Sequence, residues 1–128
     1  MPDARRTGLL ILGGLIVLAG CGPRPADVSG TWEGTWAAAN GQASGTFRVE
    51  VTQRGRSISG PIELSLDWLP SARINGSVEA QRVRWGVLRG GIVVLSFEGE
   101  VGGDRAQGRY TIATGGEGTW SAARIRQR

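Results

Sequence analysis

Few side chains of this sequence could carry out catalytic chemistry. The chain has a single cysteine, Cys21, and all fifteen basic residues are arginine, so it contains neither histidine nor lysine. Arrangements that activate a serine or cysteine nucleophile usually need such a base. The Gly-x-Ser-x-Gly sequence that forms a nucleophile turn in many hydrolases is also missing. We therefore predict that the protein is not an enzyme.

Two carboxylates are the remaining candidates for chemistry. Glu98 and Glu100 share one face of a predicted strand, and a pair of carboxylates ~5 to 9.5 Å apart can hydrolyse glycosidic bonds. Two glutamates on a solvated face explain the same spacing without catalysis. A metal would have to be held by carboxylates alone, so we expect neither a metal site nor a cofactor.

The first twenty residues have the composition of a secretory signal. Arg5 and Arg6 precede an apolar run from Leu9 to Leu18, and small residues follow it. The run has about ten residues, whereas a membrane-spanning helix needs ~20. We predict a signal peptide over residues 1–20 that is cleaved off and is not part of the folded domain.

The sequence Leu18-Ala19-Gly20-Cys21 resembles the lipobox of bacterial lipoproteins. That resemblance implies cleavage between Gly20 and Cys21 and attachment of palmitate-type acyl chains to Cys21, which becomes the membrane anchor. Two or three acyl chains give stable attachment. Gly22 stands where an aspartate would signal retention in the inner membrane. The resemblance thus favours the periplasmic side of the outer membrane.

A single domain follows the anchor. Residues 21–27 form the acylated cysteine and a short linker, and residues 28–128 form one small domain, since about 108 residues remain after cleavage. No second cysteine is available for a disulfide. The formal charge of +4 permits contact with anionic headgroups, whereas export excludes nucleic acid as a partner.

Short alternating runs predict β-strands throughout this domain. In residues 47–52, for example, apolar and polar side chains alternate, which is typical of a half-buried antiparallel strand. Seven turn-like segments divide the domain into eight strands: Asn40-Gly41, Arg54-Gly55, Leu69–Ser71, Ala80-Gln81, Gly90-Gly91, Gly102–Asp104 and Gly115-Gly116. The spacing predicts an all-β, eight-stranded, up-and-down antiparallel barrel. A two-sheet β-sandwich is the alternative.

The tripeptide Gly-Thr-Trp occurs at residues 30–32, 34–36 and 118–120, and Arg124 follows the third copy. This pattern resembles the calycin superfamily, which includes lipocalins and avidins, whose first strand carries Gly-x-Trp and whose last strand brings an arginine to that tryptophan. The resemblance implies a structural cation-π contact of Arg124 with Trp32. The residues that would close the barrel are Gly30, Trp32, Trp120 and Arg124.

An unusually apolar segment precedes Pro70. Ile62, Leu64, Leu66 and Trp68 alternate as the inward face of a strand would. The same segment could instead form a lid over the barrel mouth or an apolar tip that touches lipid. The candidate ligand or loop residues are Trp36, Leu66, Trp68 and Trp85.

These observations predict a lipid-anchored binding module for a small apolar or amphipathic ligand. The alternative is a solid barrel that recognises another envelope protein, as an inhibitor or assembly factor would. A lumen lined by Trp36, Trp85, Val94 or Tyr110 with room for a ligand would favour the first function. A packed interior would favour the second.

Overall fold

The computed structural model describes residues 24–125. The signal peptide predicted over residues 1–20 and the acylation site Cys21 lie outside the described residues. Both therefore remain predictions. Within residues 24–125, no helix is long and apolar enough to span a membrane.

Eight antiparallel strands form one closed barrel. The strands are β1 (Gly30–Ala38), β2 (Ser44–Arg54), β3 (Ser57–Leu64), β4 (Ser71–Glu79), β5 (Arg82–Arg89), β6 (Ile92–Gly102), β7 (Arg105–Ile112) and β8 (Glu117–Arg124). Each strand pairs with the next, and β8 pairs with β1. The predicted up-and-down barrel is confirmed. The sandwich alternative is wrong because two separate sheets would leave edges that β1 and β8 close here.

Alternating burial produces the core of the barrel. In β3, Ile58, Ile62 and Leu64 point inward and are buried, while the intervening Glu63 is exposed. The same period of two holds along the other strands, because successive side chains of a strand point to opposite faces. Among the described residues, every buried side chain of the core is apolar or aromatic and none is charged.

Charge pairing on the outer wall matches the strand register. The charged cross-strand neighbours are Glu33 with Arg48, Arg48 with Glu63, Glu79 with Arg82, Arg82 with Glu100, Arg84 with Glu98, and Glu98 with Arg109. Each pair is of opposite sign, and in the Glu33–Arg48 pair the charged groups form an ion pair at 3.1 Å. A slip by one residue would lose these pairs and turn the apolar face outward.

Glycines allow the wall to bend where β6 meets β7. Gly99 and Gly108 are direct cross-strand partners on the inward face. A Cβ atom on Gly108 would overlap the carbonyl oxygen of Glu98, and one on Gly99 would overlap that of Gln107. Only residues without a side chain permit this close approach, which lets a short sheet curl into a barrel.

The two ends of the barrel differ. We call the end that holds both termini of the described chain the base; it also holds the turns at residues 55–56, 80–81 and 103–104. The opposite end, the rim, holds the turns at residues 39–43, 65–70, 90–91 and 113–116. The segment before β1 is fixed to the base, because Ala26 N donates to Ala80 O at 2.7 Å and Val28 N donates to Gln53 Oε1 at 2.7 Å.

Candidate functional site

Arg124 joins three segments at the base. Its Nη1 donates to Ser29 O at 2.6 Å, its Nη2 donates to Asp27 O at 2.8 Å and Gly103 O at 3.1 Å, and its Nε donates to Asp104 Oδ1 at 2.9 Å. These bonds link the segment before β1 and the β6–β7 turn to the end of β8. The arrangement fixes backbone groups and leaves the guanidinium no free edge for a ligand.

The Arg124 guanidinium also lies over the indole of Trp32, with 4.8 Å between its Cζ and the ring centroid. Trp32 Nε1 donates to Val28 O at 2.9 Å. Gly30 has a φ of +115° and lies against the aliphatic part of Arg124. The structure therefore brings Gly30, Trp32 and Arg124 together at the base, with the geometry of a structural closure.

Trp120 lies away from this closure, although the resemblance grouped it with the base. It pairs with Trp36 across β1 and β8, above the level of Trp32. Its Nε1 donates to Glu98 O and to Arg109 O, both at 3.1 Å. These two bonds connect Trp120 to β6 and β7, where Gly108 is its cross-strand partner.

Aromatic side chains fill the middle of the barrel. Trp85 stacks on Phe97 with 3.9 Å between ring centroids, and Trp120 meets both rings edge-on. The continuous cluster consists of Trp36, Phe47, Trp85, Phe97, Tyr110 and Trp120. Offset and edge-on contacts of this kind add to the stabilisation from burial. Trp85, a candidate ligand residue from its sequence position, is thus part of a packed core.

A small apolar cavity remains between this cluster and the base. It has a volume of about 40 Å³ and is lined by Val28, Trp32, Phe47, Trp85 and Trp120 together with smaller apolar side chains. A water molecule occupies ~30 Å³ in the liquid, whereas ligand sites measure ~300–1,000 Å³. The cavity is too small for a fatty acid or a similar ligand.

The β3–β4 loop covers part of the rim. Leu64 ends the strand and its N donates to Pro70 O at 3.0 Å, while Leu69 is buried against the core with 2 % exposure. Leu66 is half-buried, and Trp68 is 46 % exposed. The inward strand face thus ends at Leu64, and the loop behaves as a cover with Trp68 on its outer side.

Trp36 carries an unusual polar group. The side chain points inward near the rim and meets Tyr110 edge-on at 6.1 Å. Its Nε1 is buried, and no described residue accepts a hydrogen bond from it. Buried donors are rarely left in this state. Burial also raises the pKa of the neighbouring Tyr110 hydroxyl above its ordinary value of 10.0.

The outer wall over β5 to β8 has two open depressions. One measures about 580 Å³ and the other about 880 Å³, and Glu98 and Arg109 lie between them. Gly99 and Gly108 line the first depression, and Gly76, Gly86 and Gly118 line the second. Glu98 and Glu100 therefore face solvent beside arginines rather than lining an enclosed cleft. Across residues 24–125, no group of three or more metal-ligating side chains occurs.

Comparison with known proteins supports the fold. No protein-family model matches the sequence, and no curated protein matches it. A de novo designed fluorescence-activating β-barrel is similar, with a TM-score of 0.53 and 20% identity over 76% of this chain and 93% of that chain. An asparagine-to-alanine mutant of the fluorescent protein UnaG has a TM-score of 0.46 and 12% identity over 78% of this chain and 97% of that chain.

At such identity, the likeness to the designed barrel concerns the fold alone. Together with the closed strand order, it defines the class of this domain as an eight-stranded, up-and-down antiparallel barrel.

Proposed function

We propose that this protein is a lipid-anchored, non-enzymatic binding module that recognises an envelope protein with the outer surface of its barrel. The packed interior carries the proposal. The cavity that the described residues leave below the aromatic cluster measures about 40 Å³, far less than the ~300 Å³ of a small ligand site. Recognition then depends on the outer wall and the turns.

The position of the base supports an anchor at Cys21. Four residues, and so five Cα–Cα steps, separate Cys21 from Ala26, whose N donates to Ala80 O in the β4–β5 turn. An extended chain of this length spans at most about 18 Å. An acylated Cys21 would hold the base next to its membrane and leave the rim and much of the wall to face the periplasm.

The wall over β5 to β8 is the surface that best suits a protein partner. Arg84, Glu98 and Arg109 form a row of alternating charge between the two depressions. No ion pair within 4 Å joins these three side chains in the described part of the chain. Charged side chains without an ion-pair partner in their own protein can complement charges of opposite sign on a binding partner and set its orientation.

A small amphipathic ligand is the second candidate, and the buried Trp36 Nε1 favours it. This donor has no acceptor among the described residues, and it lies at the end of the barrel that the β3–β4 loop covers. A ligand with a carbonyl or carboxylate oxygen could accept this bond after the loop moved. A ligand site in this barrel would have a parallel in the designed barrel of similar fold, which is described as fluorescence-activating.

Membrane fractionation and intact mass test the anchor. The wild-type protein should start at Cys21, carry acyl chains and remain with membranes. The variant Cys21→Ser should keep residues 1–20 and carry no acyl chain, whereas Gly22→Ala should be processed normally. Acylation of Cys21→Ser, or an unacylated wild-type protein, would contradict the anchor.

Site-specific photocrosslinking in intact cells tests the recognition surface. A photoreactive residue at Gln107, in the wall depression, should capture one envelope protein, and Arg109→Glu should abolish the capture. The matched position is Thr52, an exposed residue of β2, which should capture nothing specific. Equal capture from both positions would remove the wall over β5 to β8 from the proposal.

A further inference from the structure

We propose that the rim carries a lipid-binding tip, formed by Trp68, Ile92 and Val93, that docks onto the surface of an anionic bilayer. This inference concerns the rim and goes beyond the protein-recognition wall proposed above. It also needs no acyl chain at Cys21, because the tip lies at the opposite end of the barrel from the base.

Exposed apolar bulk is confined to this tip. Among the described residues, the large apolar side chains that are exposed are Trp68 at 46 %, Ile92 at 68 % and Val93 at 46 %. All three belong to the β3–β4 loop or to the start of β6. These elements lie at the same end of the barrel, on hairpins that neighbour each other because β4 pairs with β5.

A β-bulge turns Val93 toward solvent. The register between β5 and β6 shifts at Val87 and Leu88, so that Leu88 pairs with Val93 while Val87 pairs with Leu95. Without the shift, Val93 would share the inward face of Leu95. Instead, Val93 lies over Gly86 on the outer wall. A Cβ atom added to Gly86 would be 3.1 Å from Val93 Cγ1. Bulges re-aim side chains in this way, and this one exposes an apolar group.

Two arginines flank the tip. Arg73 pairs with Leu88, which pairs with Val93, and Arg89 pairs with Ile92. Both arginines are exposed, and no carboxylate of a described residue lies within 4 Å of either guanidinium. Asp67 is the single acidic residue of the β3–β4 loop. Glu63, which pairs with Ser71, is the next acidic residue along the chain. The two arginines lie on the side of Ile92 and Val93, where they can bind anionic phosphates.

The area of the tip favours a bilayer over a protein or a second copy of the chain. The tip is small, because only part of each of its three side chains is exposed and even an entire aromatic side chain covers only ~150–250 Å². A stable protein interface needs ~800 Å² from each partner. A lipid surface needs no matching shape, and a few apolar side chains beside basic ones suffice for reversible binding. Tryptophan also prefers the interface between headgroups and acyl chains.

Quenching by brominated lipids tests the tip in the full-length, membrane-purified protein. The protein is placed in unlabelled vesicles and mixed with protein-free vesicles of brominated phosphatidylcholine and phosphatidylglycerol. In a second arrangement, the brominated lipids are in the protein's own vesicles. Trp68 is the exposed tryptophan of the described chain. Its emission should be quenched in the arrangement that places brominated lipids in the bilayer that the tip contacts. The quenched component should be missing in Trp68→Phe.

Substitutions at the tip should lower binding without unfolding the barrel. Ile92→Asp with Val93→Asp should weaken binding to anionic vesicles by at least about tenfold, and Arg73→Gln with Arg89→Gln should remove the preference for phosphatidylglycerol. Thr52→Asp is the control on the distant wall. Near-ultraviolet circular dichroism should be unchanged in all three variants, because these residues are exposed.

Unchanged wild-type emission in both vesicle arrangements would overturn the proposal. If the Ile92 and Val93 substitutions instead abolished crosslinking to an envelope protein while lipid quenching stayed absent, the tip would be a protein contact. Intact mass reports acylation separately, and capture from Gln107 reports the wall. A failure of the proposed function is therefore distinguishable from a failure of the lipid-binding tip.

Discussion

Arg124 shows how one side chain can connect distant parts of this barrel. Its guanidinium binds backbone oxygens that precede β1 and follow β6, lies over Trp32, and is mostly buried. The Asp27 carboxylate nearby accepts hydrogen bonds from Ser29, which are the main cause of its lowered pKa, and Arg124 adds a smaller electrostatic effect. The base thus depends on a network that ends at Arg124.

Replacing Arg124 with alanine should lower the free energy of unfolding by about 2–4 kcal/mol, because several carbonyl oxygens lose a charged donor. Urea unfolding followed by tryptophan fluorescence measures the change. Arg82→Ala, which removes an exposed guanidinium from the wall, should change stability by less than about 0.5 kcal/mol. Equal effects of the two substitutions would show that Arg124 does not hold the base.

Tyr110 should make the barrel sensitive to alkali. Its pKa in the folded state is raised by burial, so the unfolded state releases the proton first as pH rises. The contribution of Tyr110 to stability should be constant below about pH 10 and fall above it. The chain has no lysine and no other tyrosine, so absorbance of tyrosinate reports this group alone. Tyr110→Phe should flatten the fall; normal ionisation of folded Tyr110 near pH 10 would contradict its burial.

At the scale of elements, the β3–β4 loop divides its apolar residues between two environments. Leu69 is buried against the core and Trp68 next to it is exposed. Leu69→Ala should cost about 2–4 kcal/mol in the free energy of unfolding, whereas Trp68→Ala should cost less than about 0.5 kcal/mol. Thermal or urea unfolding compares them directly. A neutral Leu69→Ala would mean that the loop does not cover the rim.

The bend between β6 and β7 should depend on Gly108. In Gly108→Ala, the new methyl group meets the Glu98 carbonyl, so β6 must move and the Trp120 hydrogen bonds to Glu98 and Arg109 are lost. We expect the free energy of unfolding to fall by about 3 kcal/mol or more. Gly102→Ala is the matched control because its added methyl group would meet open space. Native-like stability of Gly108→Ala, measured by urea unfolding, would contradict the bend.

Much of the fold could be predicted from the sequence, because the period of two along strands such as residues 47–52 is local. The bulge at Val87 and Leu88 could not, since it depends on how β5 and β6 register against each other. The packed interior could not be predicted from the sequence either. The same inward tryptophans line a cavity or fill it, depending on how far glycines such as Gly108 draw the wall inward.

At the scale of the whole molecule, the barrel is polarised. The base holds both described termini and the Arg124 network, and the rim holds the exposed apolar side chains. The wall over β5 to β8 holds charged side chains that form no ion pair within 4 Å among the described residues. An acylated Cys21 would place the base against one membrane. This orientation would leave the wall available to a periplasmic protein and direct the tip at Trp68 and Ile92 away from the anchor.

Native mass spectrometry of the membrane-purified protein, after exposure to lipid extract and repurification, distinguishes a filled barrel from a ligand carrier. We predict a chain that starts at Cys21, carries its covalent acyl chains and retains no other small molecule, because the interior is filled. A non-covalent adduct of defined mass would contradict the filled barrel and make the ligand beneath the β3–β4 loop the primary function. A chain without acylation at Cys21 would contradict the anchor.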